Sequence, residues 1–218
     1  MLRMEILKPQ DVVVVLKLCA IALPNSSGDS SPRPSMAILG AELGMSSSEV
    51  HAAIRRAHRS GLLLEEAFSP LSRPPQKKKP ATAKGLQPRK VGIRYKPIHQ
   101  DRPNVSAILE FLVHGLKYVF PPHRGQMTRG IATSYAAPPL DTLIARGQEP
   151  IPVWPYSAGQ QRGVMLEPLY PTVPFAALRD PLLYQLLAIA DALREGRARE
   201  RRIAEEQLRL RLEGPNAE

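Results

Sequence analysis

The sequence predicts an α+β fold, mainly α, in two parts. The N-terminal part is ordered helix, helix, turn, helix, strand, loop, strand, and the C-terminal part is helix-rich with a few short strands. Three observations predict this. A serine capping box and two stop glycines punctuate a pair of short helices between residues 36 and 61. A basic, proline-rich stretch then separates two short apolar runs. Beyond Asn104, apolar residues return at helical spacing, followed by turn-rich pieces and further helical stretches. A chain of 218 residues with 23 prolines and 14 glycines suits two small domains, here set at 1–100 and 104–218.

Each element has its own reason. Residues 9–22 begin with Pro9, favoured at a first helical position, and place Asp11 in the first turn. The four valines that follow suit a strand equally well, and the helices that come next decide for helix. LPNSSGDSSPRPS is a loop of turn formers. Residues 36–43 form a short helix stopped by Gly44, and Ser46 with Glu49 three residues later opens a second helix running to about Ser60, with Gly61 as its stop. Leu62 to Leu64 read as a strand and Val91 to Tyr95 as its returning partner. From Ser106 to Phe120 the residues Ile108, Leu109, Leu112, Leu116 and Val119 recur at helical spacing until Pro121-Pro122 ends the run. Residues 123–174 are turns and short apolar pieces whose strands cannot be paired from sequence. Asp180 to Arg194 and Arg197 to Leu212 form two helices, or one bent near Gly196.

The charge points to an anionic partner. Thirty Lys and Arg stand against 20 Asp and Glu, a net charge of +10. Arg73, Lys77, Lys78, Lys79, Lys84, Arg89, Lys90, Arg94 and Lys96 all fall between Ala67 and Gln100, where there is no acid. The single cysteine, Cys19, rules out an intrachain disulfide framework and a cysteine-based zinc cluster, and its apolar setting reads as core. The apolar run from Val12 to Leu23 is interrupted by Lys17 and is too short to cross a bilayer. The expectation is a soluble cytoplasmic, nucleoid-associated protein with no membrane partner.

The most specific motif is LGAELGMSSSEVHAAIRRAHRSGLL, from Leu39 to Leu63. Gly40 and Gly44 fall where two helices touch and turn, and Leu39, Leu43, Met45, Val50 and Ile54 on their inner faces. The segment resembles the winged helix-turn-helix of bacterial MarR-like and related regulators, over roughly residues 8 to 96. It departs from their usual reading in carrying Gly40 where alanine is common and in its long loop from Leu23 to Ser35. The resemblance implies a sequence-specific transcriptional regulator that places helix 47–60 in the major groove of double-stranded DNA. At about 100° per residue, Val50, Ala53, Ile54 and Ala57 share the inner side of that helix. Ser48, Ala52, Arg55 and Arg59, flanked by His51 and Arg56, share the other. The candidate DNA contacts are therefore Ser47, Ser48, His51, Ala52, Arg55, Arg56 and Arg59, since arginine can bond guanine bidentately and serine can hold phosphate. The alternative is a merely solvated face. The basic stretch 67–96 would be the wing, with Lys77, Lys78, Lys79, Arg89, Lys90 and Arg94 on phosphates or in the minor groove, or else a solubilising loop.

Catalytic signatures are absent: no GxSxG, HExxH, Walker-type loop or GxGxxG occurs, and the five histidines show no metal-ligand spacing. The reading is a non-enzyme with no cofactor and no metal. Lys117, His123, Arg124 and Arg129 lie beside glycines in a segment able to hold an anionic ligand, though a structural loop is the favoured alternative. Trp154, Tyr156, Tyr170 and Phe175 read as core or subunit interface. Regulators of this type dock as homodimers on palindromic sites, so the apolar stripes of 106–120 and 180–212 are the expected dimer contacts. The rival reading is an antitoxin-like or adaptor role in which the C-terminal part binds a partner protein. It rests on a loose resemblance of residues 110–213 to regulators associated with toxin–antitoxin gene pairs. RNA is a weaker candidate, because no aromatic stacking platform accompanies the charge.

Overall fold

The structure, a computed structural model, describes residues 6–23, 34–65, 101–145 and 147–214. It is α+β and mainly α. The first helix, α1 (Pro9–Ala22), starts at Pro9, and the Asp11 carboxylate accepts the Lys8 backbone N–H at 2.8 Å. Every residue from Asp11 to Ala20 is buried, because α3, α7 and β2 (defined below) pack around it. This is why the valine run has no helical period: a helix enclosed on all sides has no solvent face to mark.

The helix α2 (Met36–Leu43) is capped by Ser35, whose hydroxyl accepts the Ile38 N–H. It ends at Gly44, at φ 67°, and the Gly44 and Met45 N–H groups both bond the Gly40 carbonyl. A Cβ on Gly40 would stand 2.6 Å from the Met45 carbonyl oxygen, so the glycine found there answers to this close approach. The helix α3 (Ser47–Arg59) then starts from the expected capping box. Ser46 Oγ accepts the Glu49 N–H at 3.2 Å, and Glu49 Oε2 accepts the Ser46 N–H at 2.8 Å. It stops before Gly61, at φ 76°.

The short strand β1 (Leu63–Glu65) pairs antiparallel with β2 (Asp101–Pro103), in the register Leu63↔Pro103 and Glu65↔Asp101. The expected partner, Val91 to Tyr95, lies outside the described residues. What fixes β2 is its junction with the next helix. Asn104 gives its side-chain amide to the Gly61 carbonyl and its backbone N–H to Leu62, and its Oδ1 accepts the Ala107 N–H. The helical run that follows is not one regular helix. It comprises α4 (Val105–Glu110), a wide π turn (Phe111–Gly115) and α5 (Leu116–Val119). Ile108, Leu109, Leu112 and Leu116 are buried as their spacing requires, whereas Val119, beyond the wide turn, is 48% exposed.

The strands β3 (Arg124–Ala132), β4 (Pro152–Pro155) and β5 (Gln161–Leu166) close on one another. β3 runs antiparallel to both, and β4 and β5 are parallel. After α6 (Val173–Ala177) come two separate helices, α7 (Pro181–Glu195) and α8 (Ala198–Glu213), broken at Gly196. A Cβ at Gly196 would stand 2.3 Å from the Ala192 carbonyl oxygen. Asp191, in α7, is fully enclosed and accepts from Thr133 Oγ1, Trp154 Nε1 and Arg194 Nη1 at 2.9, 2.7 and 2.8 Å. This knot ties the strands to α7. Burial pushes its carboxyl above the ordinary range, against the pull of Arg194 and the two other donors.

The segments read as two domains share one core. Buried side chains of α1 and α3 belong to the same apolar cluster as Leu109, Trp154, Leu186 and Leu208. The stripes expected to form a dimer interface are internal, with Leu112, Leu116, Leu183, Leu186 and Leu187 all buried inside the chain. No helix among the described residues is long and apolar enough to cross a membrane.

Candidate nucleic-acid interface

The outer face of α3 is polar and cationic. Ser48, His51, Arg55 and Arg59 are exposed along one stripe, with Ala52 half-buried between them and Ser47 half-buried at the start. The opposite face packs Val50, Ala53, Ile54 and Ala57 against α1 and α2. The only acid in the helix, Glu49, lies off the stripe. Its Oε1 accepts the Tyr170 hydroxyl at 3.0 Å. The Ser46 backbone N–H, the Ser46 side chain and that phenol together hold the Glu49 carboxyl below its ordinary value.

One expected DNA contact is corrected. Arg56 is only 8% exposed and turns inward, where Nε and Nη2 grip the two Asp11 carboxylate oxygens at 2.7 and 2.6 Å. The stripe centre and Arg56 differ by about a quarter turn on the helix. That is enough to carry the side chain from solvent into the seam with α1. The pair fixes α3 on α1 and belongs to the scaffold. A second buried cation, Lys17, is 2.7 Å from Glu42 of α2 and 2.8 Å from Asp180, the N-cap of α7. Burial opposes its charge, and the two carboxylates prevail and raise its pKa.

At the other end of α3, His58 pairs with Asp101, the first residue of β2. The basic segment therefore leaves and re-enters the fold beside the C-terminal end of α3, its two ends matched at Glu65↔Asp101. Lys77, Lys78, Lys79, Arg89, Lys90 and Arg94 lie outside the described residues.

The suggested anion loop is not a loop. Lys117 sits on α5, its ammonium 4.8 Å from the Tyr118 ring, while Arg124 and Arg129 sit on β3. Arg124 donates to Glu195 at 2.7 Å, and Arg129 lies opposite Arg162 on β5. His123 is exposed just before the strand. These four residues do not share a concave site, because a nine-residue strand carries the two arginines apart. No group of three or more potential metal ligands occurs among the described residues. Of the aromatic residues, Trp154 is core and Tyr170 packs against that core, and Tyr170 and Phe175 also meet the α2–α3 unit. Sequence gives no sign of those contacts, since Tyr170 and Glu49 are 121 residues apart.

Compared with known proteins, the chain matches no family model, no curated protein and no solved structure.

Proposed function

We propose that the chain binds double-stranded DNA selectively through α3 and acts as a transcriptional regulator. One observation carries the reading: α3 presents Ser48, His51, Arg55 and Arg59 along one exposed stripe of the helix, with the small Ala52 among them. Such a face suits the major groove, where arginine reads guanine O6 and N7 and a small residue permits close approach. The sequence between β1 and β2 carries nine Lys and Arg and no acid from Ala67 to Gln100, charge that suits phosphates.

The test is fluorescence anisotropy over a salt series, comparing a duplex from upstream of the protein's own gene with a scrambled one. Selective binding at physiological salt is expected. Arg55→Ala and Arg59→Ala should each weaken it by about 1–3 kcal/mol where the arginine bonds a base edge. Joint replacement of Lys77, Lys78 and Lys79 should weaken both duplexes alike. Equal, weak binding abolished by salt would leave only a basic surface and end the proposal.

A further inference from the structure

We infer that the C-terminal part adds a phosphate contact of its own to the α3 surface, through Arg179. The inference rests on the DNA reading above and deepens it. Its basis is the way α6 meets the turn between α2 and α3. A Cβ placed on Gly44 would stand 3.1 Å from Thr172 Cβ and 3.3 Å from Phe175 Cδ1, so these side chains lie against the turn itself. The Arg179 guanidinium carbon is 3.8 Å from the centre of the Phe175 ring. Arg179 is exposed, and no carboxylate among the described residues pairs with it.

The backbone that carries this cation is held on both sides. The Arg179 N–H bonds the Ala176 carbonyl at 3.1 Å. Next to it, Asp180 accepts the Leu182 and Leu183 N–H groups and the Lys17 ammonium. Contact with the Phe175 ring, 3.8 Å from the guanidinium carbon, engages one side of an exposed group whose planar set of N–H donors matches a phosphate oxygen pair. A side chain resting on a ring has less freedom to lose on binding than one surrounded by solvent.

The location selects the contact. Gly44 lies two residues before Ser46, the N-cap of α3. A recognition helix that enters the groove by its N-terminal residues brings the preceding turn to the backbone rim. Arg179 is outside the α3 stripe, so its partner is a phosphate rather than a base, and it contributes affinity without sequence information. Tyr170, from the same C-terminal segment, holds Glu49 in the first turn of α3 and keeps that carboxylate off the stripe.

The experiment compares full-length wild type, R179A, R179K and R55A on the two duplexes above and on a mixed-sequence duplex, across a salt series. For R179A the expected result is equally weakened binding to all three duplexes. The slope of log K against log salt should be shallower by about 0.9, the loss of one phosphate contact, with selectivity unchanged. R179K should keep most of the slope, and R55A should lose selectivity while keeping it. If R55A loses selectivity but R179A titrates like wild type, the Arg179 contact is refuted and the α3 reading stands. An R179K variant with the shallow salt slope of R179A would refute the phosphate contact and leave only packing on Phe175. A shallower R179A slope in a protein without selectivity would keep the contact and remove sequence reading. If wild type binds none of the duplexes, both fall.

Discussion

Asp11 and Arg56 show how far one side chain can carry the scaffold. Asp11 is 0% exposed and serves two partners, the Lys8 N–H at the start of α1 and the guanidinium of Arg56. Asp11→Ala removes a cap and leaves a buried guanidinium without its carboxylate, which costs about 3–5 kcal/mol for pairs of this kind. Arg56→Met leaves the enclosed Asp11 carboxylate with the Lys8 N–H alone and should cost a similar amount. Urea unfolding measures both, and a loss below about 1 kcal/mol for either would contradict a buried pair. The helical wheel could not reveal this pairing. It places Arg56 at the border of the polar face, and the residue that draws it inward is 45 positions away.

At the scale of elements, local signals were legible and distant ones were not. Ser46, Glu49, Gly44 and Gly61 act within one turn of themselves, so the bounds of α2 and α3 follow from sequence. The partner of β1 depends on Asn104 and the packing of α1, and the closure of β3, β4 and β5 on pairings across turn-rich chain. Neither leaves a local trace. The contact between Tyr170 and the α3 cap is of the second kind, and it has a measurable effect. Glu49 titrates below its ordinary value of 4.5 because donors stabilise its ionised form. A depressed carboxyl contributes stability above the unfolded value and loses it as pH falls through the folded one. The capping box of α3 should therefore loosen on acidification below about 4.5. Tyr170→Phe removes one donor and should move the Glu49 titration upward, back toward that value. NMR of the side-chain carboxyl carbon reads this directly; an unchanged midpoint would show that the phenol does not support the cap.

For the whole molecule, the decisive feature is the shared core. The stripes of α4, α5 and α7 look like an interface in sequence because a helix face announces burial and not what buries it. Within the folded chain, Leu186 is 0% exposed and sits in the same cluster as residues of α1 and α3. Leu186→Ala should lower stability by about 2–5 kcal/mol, as cavity-forming changes do. Calorimetry should show the lowered Tm to be independent of protein concentration. A Tm that rises with concentration would place this leucine at a contact between copies instead. The ion pairs of Lys17 with Glu42 and Asp180 cross the same seam, so α2 and the start of α7 are held to α1 by charge as well as by packing.

The register Glu65↔Asp101 has a consequence for how this protein can vary. Residues 66–100 join two chain positions already held side by side, so the fold needs only a short connection there. Closing 35 residues rather than four costs about 2 kcal/mol more in chain entropy, by logarithmic scaling. The length of the connection between these two positions is thus a small matter for chain entropy, and the β1–β2 pairing tolerates a long segment at a cost that a few buried side chains offset.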